Sequence, residues 1–310
     1  MKKDLISIME LEADEIFEIL VTARNMKLGK YDNDKPLKGK VIGLIFQKPS
    51  TRTRVSFEVG IYQLGGFPIF LRDNDLQLKR GETIEDTARV LSRYLDGMVL
   101  RAYAHDDLVE LARHSSIPVI NGLTDRLHPC QVISDIFTIA EKKGIKLTGP
   151  DIRAFSGIKI VYIGDGNNIA NSWMNMTAKL GMKLTVCSPR GYEPDMKVLK
   201  QCLEYSRKTG ARIKISGVPA EAVKGADVIY TDVWKSMGDN RRIDKKVFSA
   251  YQVNSKLIKK TGREVLVMHC LPAHRGEEIT DEVMDGKFSV VFDQAENRLH
   301  VQKAIMKLFI

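Results

Sequence analysis

Within five residues, Ser50-Thr51-Arg52-Thr53-Arg54, the chain gathers hydroxyls and guanidinium groups where an apolar run gives way to a helical pattern. A helix start leaves backbone N–H groups unpaired and carries the positive end of the helix dipole, so it attracts anions. Hydroxyl donors and arginine forks add charge-assisted bonds suited to a phosphate or carboxylate. Ser or Thr alone would make an N-cap on a solvated turn; the combination reads as an anion seat. Arg101 closes the apolar run Gly97-Met98-Val99-Leu100, a place where a charged residue is otherwise a solvated strand end. His128-Pro129-Cys130-Gln131 stands between a strand around Val119 and a helix from near Val132. A histidine there, neutral or protonated, donates to a carbonyl oxygen, or else caps a His-Pro turn.

Three more clusters follow apolar runs. Gly164-Asp165-Gly166-Asn167-Asn168 suggests a dinucleotide fingerprint, but Ile169 stands where Gly or Ala is needed. The acidic residue expected at the end of the next strand is also missing, since Cys187-Ser188-Pro189-Arg190 stands there. The asparagine amides suit a zwitterion instead. In Asp232-Val233-Trp234-Lys235-Ser236-Met237-Gly238, a strand-end carboxylate and a hydroxyl four residues on can grip an ammonium and a carboxylate together. His269-Cys270-Leu271-Pro272-Ala273-His274 suggests zinc. Neighbouring residues on a strand point to opposite faces, however, so His269 and Cys270 are not expected to share an ion. Cys270 reads as a thiol handling a proton or touching substrate, against the commoner case of a small buried hydrophobe.

These clusters need a scaffold that brings strand ends together. Apolar runs near 41–46, 67–71, 97–102 and 117–121 alternate with helical patterns near 53–64, 83–95, 105–114 and 130–143, after an opening helix near 11–29. A second series has strands near 159–164, 183–187, 211–215, 227–231, 265–269 and 289–292, with helices near 168–180, 194–208, 244–260 and 295–308. Such alternation predicts α/β architecture: two doubly wound domains, each a parallel sheet covered on both faces. In these sheets ligands bind beyond the carboxyl ends of strands. The break at Leu147-Thr148-Gly149-Pro150-Asp151 places the domains at 1–148 and 149–310.

Composition narrows the function classes. A chain of 310 residues fits two domains. The net charge of +9 invites nucleic acid, yet the basic residues are scattered among 39 acidic ones without a long basic run. A small anionic substrate accounts for a focused positive site, and neither nucleic acid nor membrane is expected as a partner. The four cysteines lack CxxC spacing and read as free thiols of a reducing compartment. The first residues, with Glu10, Glu12, Asp14 and Glu15 close behind, do not read as a signal peptide, and no apolar run approaches a membrane span. The expectation is a soluble, cytoplasmic protein.

Taken in order, Ser-Thr-Arg-Thr-Arg at 50–54, His-Pro-Cys-Gln at 128–131, Asp232 with Ser236-Met237-Gly238, and His269-Cys270-Leu271-Pro272 resemble the motifs of the transcarbamoylase family, most closely its ornithine branch. The resemblance covers nearly the whole chain. It implies carbamoyl transfer from carbamoyl phosphate to the δ-amine of L-ornithine, giving L-citrulline and phosphate, in a cleft between the two domains. A carbamoyltransferase for another amine such as putrescine is the alternative. The family's pattern assigns Ser50, Thr51, Arg52 and Thr53 to the phosphate, with Arg298, and with Gln77 reaching across a homotrimer from a neighbouring subunit. It assigns Arg101, His128 and Thr53 to the carbonyl oxygen, and Gln131 with the backbone near Cys270 and Leu271 to the carbamoyl NH2. Asn168, Asp232, Ser236 and Met237 are then expected on ornithine, with Cys270 helping to deprotonate it and departing phosphate finishing the transfer. Arg54 has no role in the transfer and is expected to support the loop. The resemblance also implies that the final helix returns to the first domain, that trimers can join larger assemblies, and that no metal or organic cofactor is required.

Overall fold

The computed structural model describes residues 3–31, 33–77, 81–147, 153–235 and 244–310. By its packing the chain divides into two units, Met1–Phe137 with Glu296–Ile310, and Thr138–Ala295. Of the expected break, 148–151 lie outside the described residues.

In the first unit an opening helix α1 (Ala13–Lys27) is followed by β1 (Val41–Phe46), α2 (Thr51–Gln63), β2 (Phe67–Arg72) and α3 (Ile84–Leu91). Then come β3 (Gly97–Arg101), α4 (His105–His114), β4 (Val119–Leu123) and α5 (Pro129–Lys142), inside which the division falls. The sheet order is β2-β1-β3-β4, and every pairing is parallel. Continuous apolar runs such as Val41–Phe46 and Gly97-Met98-Val99-Leu100 suit strands covered on both faces, and β3 is buried throughout. Gly60 lets α2 approach the chain's last helix closely: a Cβ there would lie 3.0 Å from Met306 Cε and 3.2 Å from Lys303 Cγ.

The second unit runs through α6 (Arg153–Ser156), β5 (Lys159–Ile163), α7 (Asn168–Leu180), β6 (Lys183–Cys187), α8 (Met196–Thr209) and β7 (Arg212–Ser216). It continues with α9 (Pro219–Ala222), β8 (Val228–Thr231), α10 (Lys245–Phe248), α11 (Ser255–Lys259), β9 (Leu266–His269) and α12 (Asp281–Met284). The last helix, α13 (Val291–Phe309), begins in this unit and ends in the first. Its sheet, β7-β6-β5-β8-β9, is again parallel throughout.

Two expected elements differ. The run 289–292 is not a strand: Ser289 makes an isolated bridge to Val267, and Val291 already opens α13. Three apolar residues cannot by themselves distinguish period 2 from 3.6. The helix expected over 244–260 is interrupted because Val253 bridges to Ile279, after which Asn254 caps α11 by accepting from the Leu257 N–H at 3.0 Å.

Both sheets have a switch point, where the chain leaves a central strand in opposite directions. In the first it lies between β1 and β3; in the second, between β5 and β8. Crevices form at the carboxyl ends of such strands. There stand Ser50–Arg54 after β1 and Arg101 ending β3, and in the second sheet Gly164–Asn168 after β5 and Asp232 after β8.

Candidate active site

In the first unit Ser50 caps α2, its side chain accepting from the Thr53 N–H at 3.3 Å. The turn is therefore a true helix start, with its remaining N–H groups directed outward. Thr53 is buried, and its Oγ1 accepts from Arg298 Nη2 at 2.8 Å. Arg298 thus joins the cluster although it lies far along the chain. Arg54 turns away: its Nε donates to Glu58 at 2.9 Å, and its guanidinium lies 3.6 Å from the centre of the Phe70 ring. Its contacts are thus with its own helix and with β2.

Arg101 is buried at the end of β3, and its carbonyl accepts from the Gln47 N–H at 2.9 Å, tying the loop after β1 to β3. His128 is buried at the entry to α5. Loss of solvent, and then the positive charges of Arg298 and Arg101, hold its imidazole well below the ordinary value of 6.5. The two protonation states left open by the sequence thus narrow to one, a neutral ring that can still donate an N–H. Cys130 of the same motif is structural: burial pushes its thiol up to about 12, and it donates to the Asn121 carbonyl at 3.4 Å. Gln131 is buried; its Nε2 donates to Asp135 at 2.8 Å, while its Oε1 accepts no hydrogen bond among the described residues.

In the second unit Asp232 is the node. Its Oδ2 accepts from Asn167 Nδ2 at 2.8 Å; its Oδ1 accepts from the Cys270 thiol at 2.9 Å and the Val233 N–H at 2.8 Å. Asn167 also caps α7, its Oδ1 accepting from the Ile169 N–H at 2.9 Å. Tyr162 donates to that same oxygen at 3.1 Å; burial, then the charges of Asp232 and Asp165, push the phenol well above its ordinary range. Gly166 serves this packing too. A Cβ there would lie 2.3 Å from the Pro194 nitrogen, so close backbone approach explains the glycine without any pyrophosphate.

Cys270 is half-buried, whereas the other three cysteines are buried. Its turn is held by His269, whose Nε2 meets Glu278 at 3.0 Å and whose Nδ1 accepts from the Leu271 N–H at 2.8 Å. That assignment fixes the tautomer. Glu278 is fully buried; burial alone would raise its carboxyl, but bonds from His269 and the His274 N–H hold it below the ordinary range. Leu271 adopts φ 59°, a left-handed conformation costing a non-glycine residue on the order of 1–2 kcal/mol.

His269 and Cys270 are not kept apart on opposite strand faces, contrary to expectation. Cys270 lies beyond the end of β9, and ligand atoms of Asp232, His269 and Cys270 come within 4.8 Å of one another. His269 nonetheless has both ring nitrogens engaged, by Glu278 and by Leu271.

Ser50, Thr51, Arg52, Thr53, Arg101, His128, Gln131 and Arg298 all belong to the first unit; Asn168, Asp232, Cys270 and Leu271 belong to the second. Gln77 is exposed, and 78–80 beside it lie outside the described residues, as do Ser236 and Met237. Asn167, grouped in the sequence with Asn168 as an amide suited to a zwitterion, also caps α7 and holds Asp232; Asp135 and Glu278 were not among the expected site residues. Asn167 had a readable signal, an Asx residue immediately before a helix. Glu278 had none, because only the fold brings it to His269.

Fold and site define a two-unit α/β protein with a cationic, donor-rich seat on one sheet and an amide–carboxylate–thiol cluster on the other. Residues 3–141 match the carbamoyl-P binding domain of aspartate/ornithine carbamoyltransferases, and 156–309 match their Asp/Orn binding domain. The chain is 51% identical over 314 residues to an ornithine carbamoyltransferase of Syntrophus aciditrophicus, covering 100% of both chains. It is 52% identical to that of Thermococcus kodakarensis, covering 99% of this chain and 96% of the other. The solved ornithine carbamoyltransferase of Pyrococcus furiosus superposes with a TM-score of 0.91 at 50% identity, covering 98% of this chain and 96% of that one. The chain belongs to the aspartate/ornithine carbamoyltransferase family.

The state of His128 has a consequence for stability. In the unfolded chain its imidazole takes up a proton near pH 6.5, whereas the folded chain keeps it neutral to lower pH. Below that pH the unfolded state binds more protons, so stability falls with acidity, by up to about 1.4 kcal/mol per pH unit for one such group. His105 and His300, lowered chiefly by burial, act in the same direction. Urea unfolding between pH 7 and 5 should therefore show a smaller acid-side loss in His128→Asn than in wild type; equal slopes would contradict a neutral buried His128.

Proposed function

We propose that the protein transfers the carbamoyl group of carbamoyl phosphate to the δ-amine of L-ornithine, forming L-citrulline and phosphate, a step of arginine metabolism. The observation that carries this reading is the contact of the Cys270 thiol with Asp232 at 2.9 Å. It pairs a proton-handling group with a carboxylate suited to an amino-acid ammonium. Relatives about half identical over their full length bear the name ornithine carbamoyltransferase, which supports the same acceptor.

Donor binding belongs to the first unit. The N–H groups at the start of α2, with Ser50, Thr51, Arg52 and Thr53, take the phosphate, and Arg298 braces Thr53. Arg101 and neutral His128 donate to the carbamoyl oxygen, where negative charge grows as nitrogen adds to the carbonyl carbon. A neutral histidine does this without a proton to lose to the incoming amine. The Oε1 of Gln131 accepts from the carbamoyl NH2.

Acceptor binding belongs to the second unit. Asn168, Asp232, Ser236 and Met237 hold the α-amino and carboxylate groups of ornithine. An alkylammonium has a pKa of roughly 10.4 and must lose a proton before it attacks. The Cys270 sulfur accepts it while the thiol proton passes to Asp232; after the C–O bond breaks, departing phosphate takes the second proton. The protein acts as a cytoplasmic homotrimer in which Gln77 reaches the donor of a neighbouring subunit. Its exposure supports that reach.

Citrulline formation from ornithine should exceed carbamoylputrescine formation from putrescine by about 100-fold in kcat/KM, because putrescine leaves polar groups of the site unmatched. Comparable rates would favour the diamine. Cys270→Ala should lower kcat by about 100-fold and displace its pH profile; a near-normal kcat with an unchanged profile would remove Cys270 from proton transfer.

A further inference from the structure

We propose that Asp135 sets the donor specificity of the enzyme by locking the amide of Gln131. The inference rests on the reading that Gln131 meets the carbamoyl NH2. Gln131 lies in the first turn of α5, and Asp135 stands one turn further on, where i and i+4 side chains meet. Both are buried, at 1% and 0% exposure, and Gln131 Nε2 donates to Asp135 Oδ1 at 2.8 Å.

A glutamine amide can present either end, since its oxygen and nitrogen differ little in shape. Asp135 Oδ1 accepts from the NH2 end of Gln131, which turns the amide oxygen the other way. That oxygen is the buried acceptor with no hydrogen bond among the described residues. Buried acceptors are costly when left unmatched, so the position calls for a ligand N–H.

Carbamoyl phosphate differs from acetyl phosphate in having NH2 where the other has methyl. The two groups are close in size and carry the same phosphate. A cationic phosphate seat cannot separate them; a fixed acceptor can, because methyl leaves it unmatched. Asp135 is thus a positioning residue that acts through Gln131, converting an ambiguous amide into a reader of the donor's nitrogen.

The test measures dissociation constants of carbamoyl phosphate and acetyl phosphate for wild type, Gln131→Ala, Asp135→Asn and the double variant. Asp135→Asn is nearly isosteric but offers both a donor and an acceptor, so either end of the amide fits. Wild type should favour carbamoyl phosphate, and Asp135→Asn should lower the ratio about tenfold. Gln131→Ala should lower it similarly, and the double variant should lose nothing more, as expected of residues acting as one unit. A purely structural role would weaken both ligands alike and leave the ratio unchanged. Should Asp135→Asn fail to fold, Asp135→Ser, whose hydroxyl also pairs with either end of an amide, gives the same readout. If Gln131→Ala lowers the ratio and the Asp135 variants do not, the lock is overturned while the Gln131 contact stands. If Gln131→Ala leaves the ratio unchanged, the contact itself is overturned.

Discussion

Parallel strand pairing is the constraint on which everything else depends. Each pairing in both sheets is parallel, so within each sheet all carboxyl ends lie along one edge. Residues far apart in sequence, such as Thr53 and Arg101, or Gly164 and Asp232, then converge without any long-range motif to bring them together. The switch between β1 and β3 opens one sheet beside a helix start, and that between β5 and β8 opens the other beside Asn167 and Asp232. Antiparallel pairing would scatter these groups over two edges.

Charge then separates the work of the two units. The first gathers Arg52, Arg101, Arg298 and a helix start, a setting for an anion. Burial, with that same positive charge, keeps His128 neutral, so it can donate without carrying charge itself. The second gathers Asp232, Glu278 and amides around a half-buried thiol, a setting for an amine. A net charge of +9 is thus compatible with a small anionic substrate: part of it stands at the helix start, where the acyl phosphate is proposed to bind.

Much of this was legible in the sequence because strands buried on both faces read as unbroken apolar runs. Val41–Phe46 and Gly97-Met98-Val99-Leu100 announced themselves in that way, and polar residues after them marked the site. What escaped notice depended on tertiary packing. Val290-Val291-Phe292 looked like a strand but opens a helix, since a run so short carries no period. Val253 breaks an otherwise helical stretch because its backbone partner, Ile279, is supplied by a distant segment. Asp135 and Glu278 act through Gln131 and His269, and a carboxylate one turn or nine residues away has no local signature of that task. The glycine pattern at 164–166, already set aside as a fingerprint because of Ile169, has a packing reason: Gly166 fits against the backbone of Glu193 and Pro194.

The central claim is that donor and acceptor recognition reside on different sheets. Calorimetric titration of carbamoyl phosphate into Arg52→Ala and Asp232→Asn, without ornithine, tests it most directly. Loss of a charge-assisted phosphate contact should weaken donor binding by about 100-fold in Arg52→Ala. Asp232→Asn should bind the donor within about twofold of wild type, since Asp232 makes no donor contact in this assignment. Equal losses in both variants, or a loss confined to Asp232→Asn, would contradict the account.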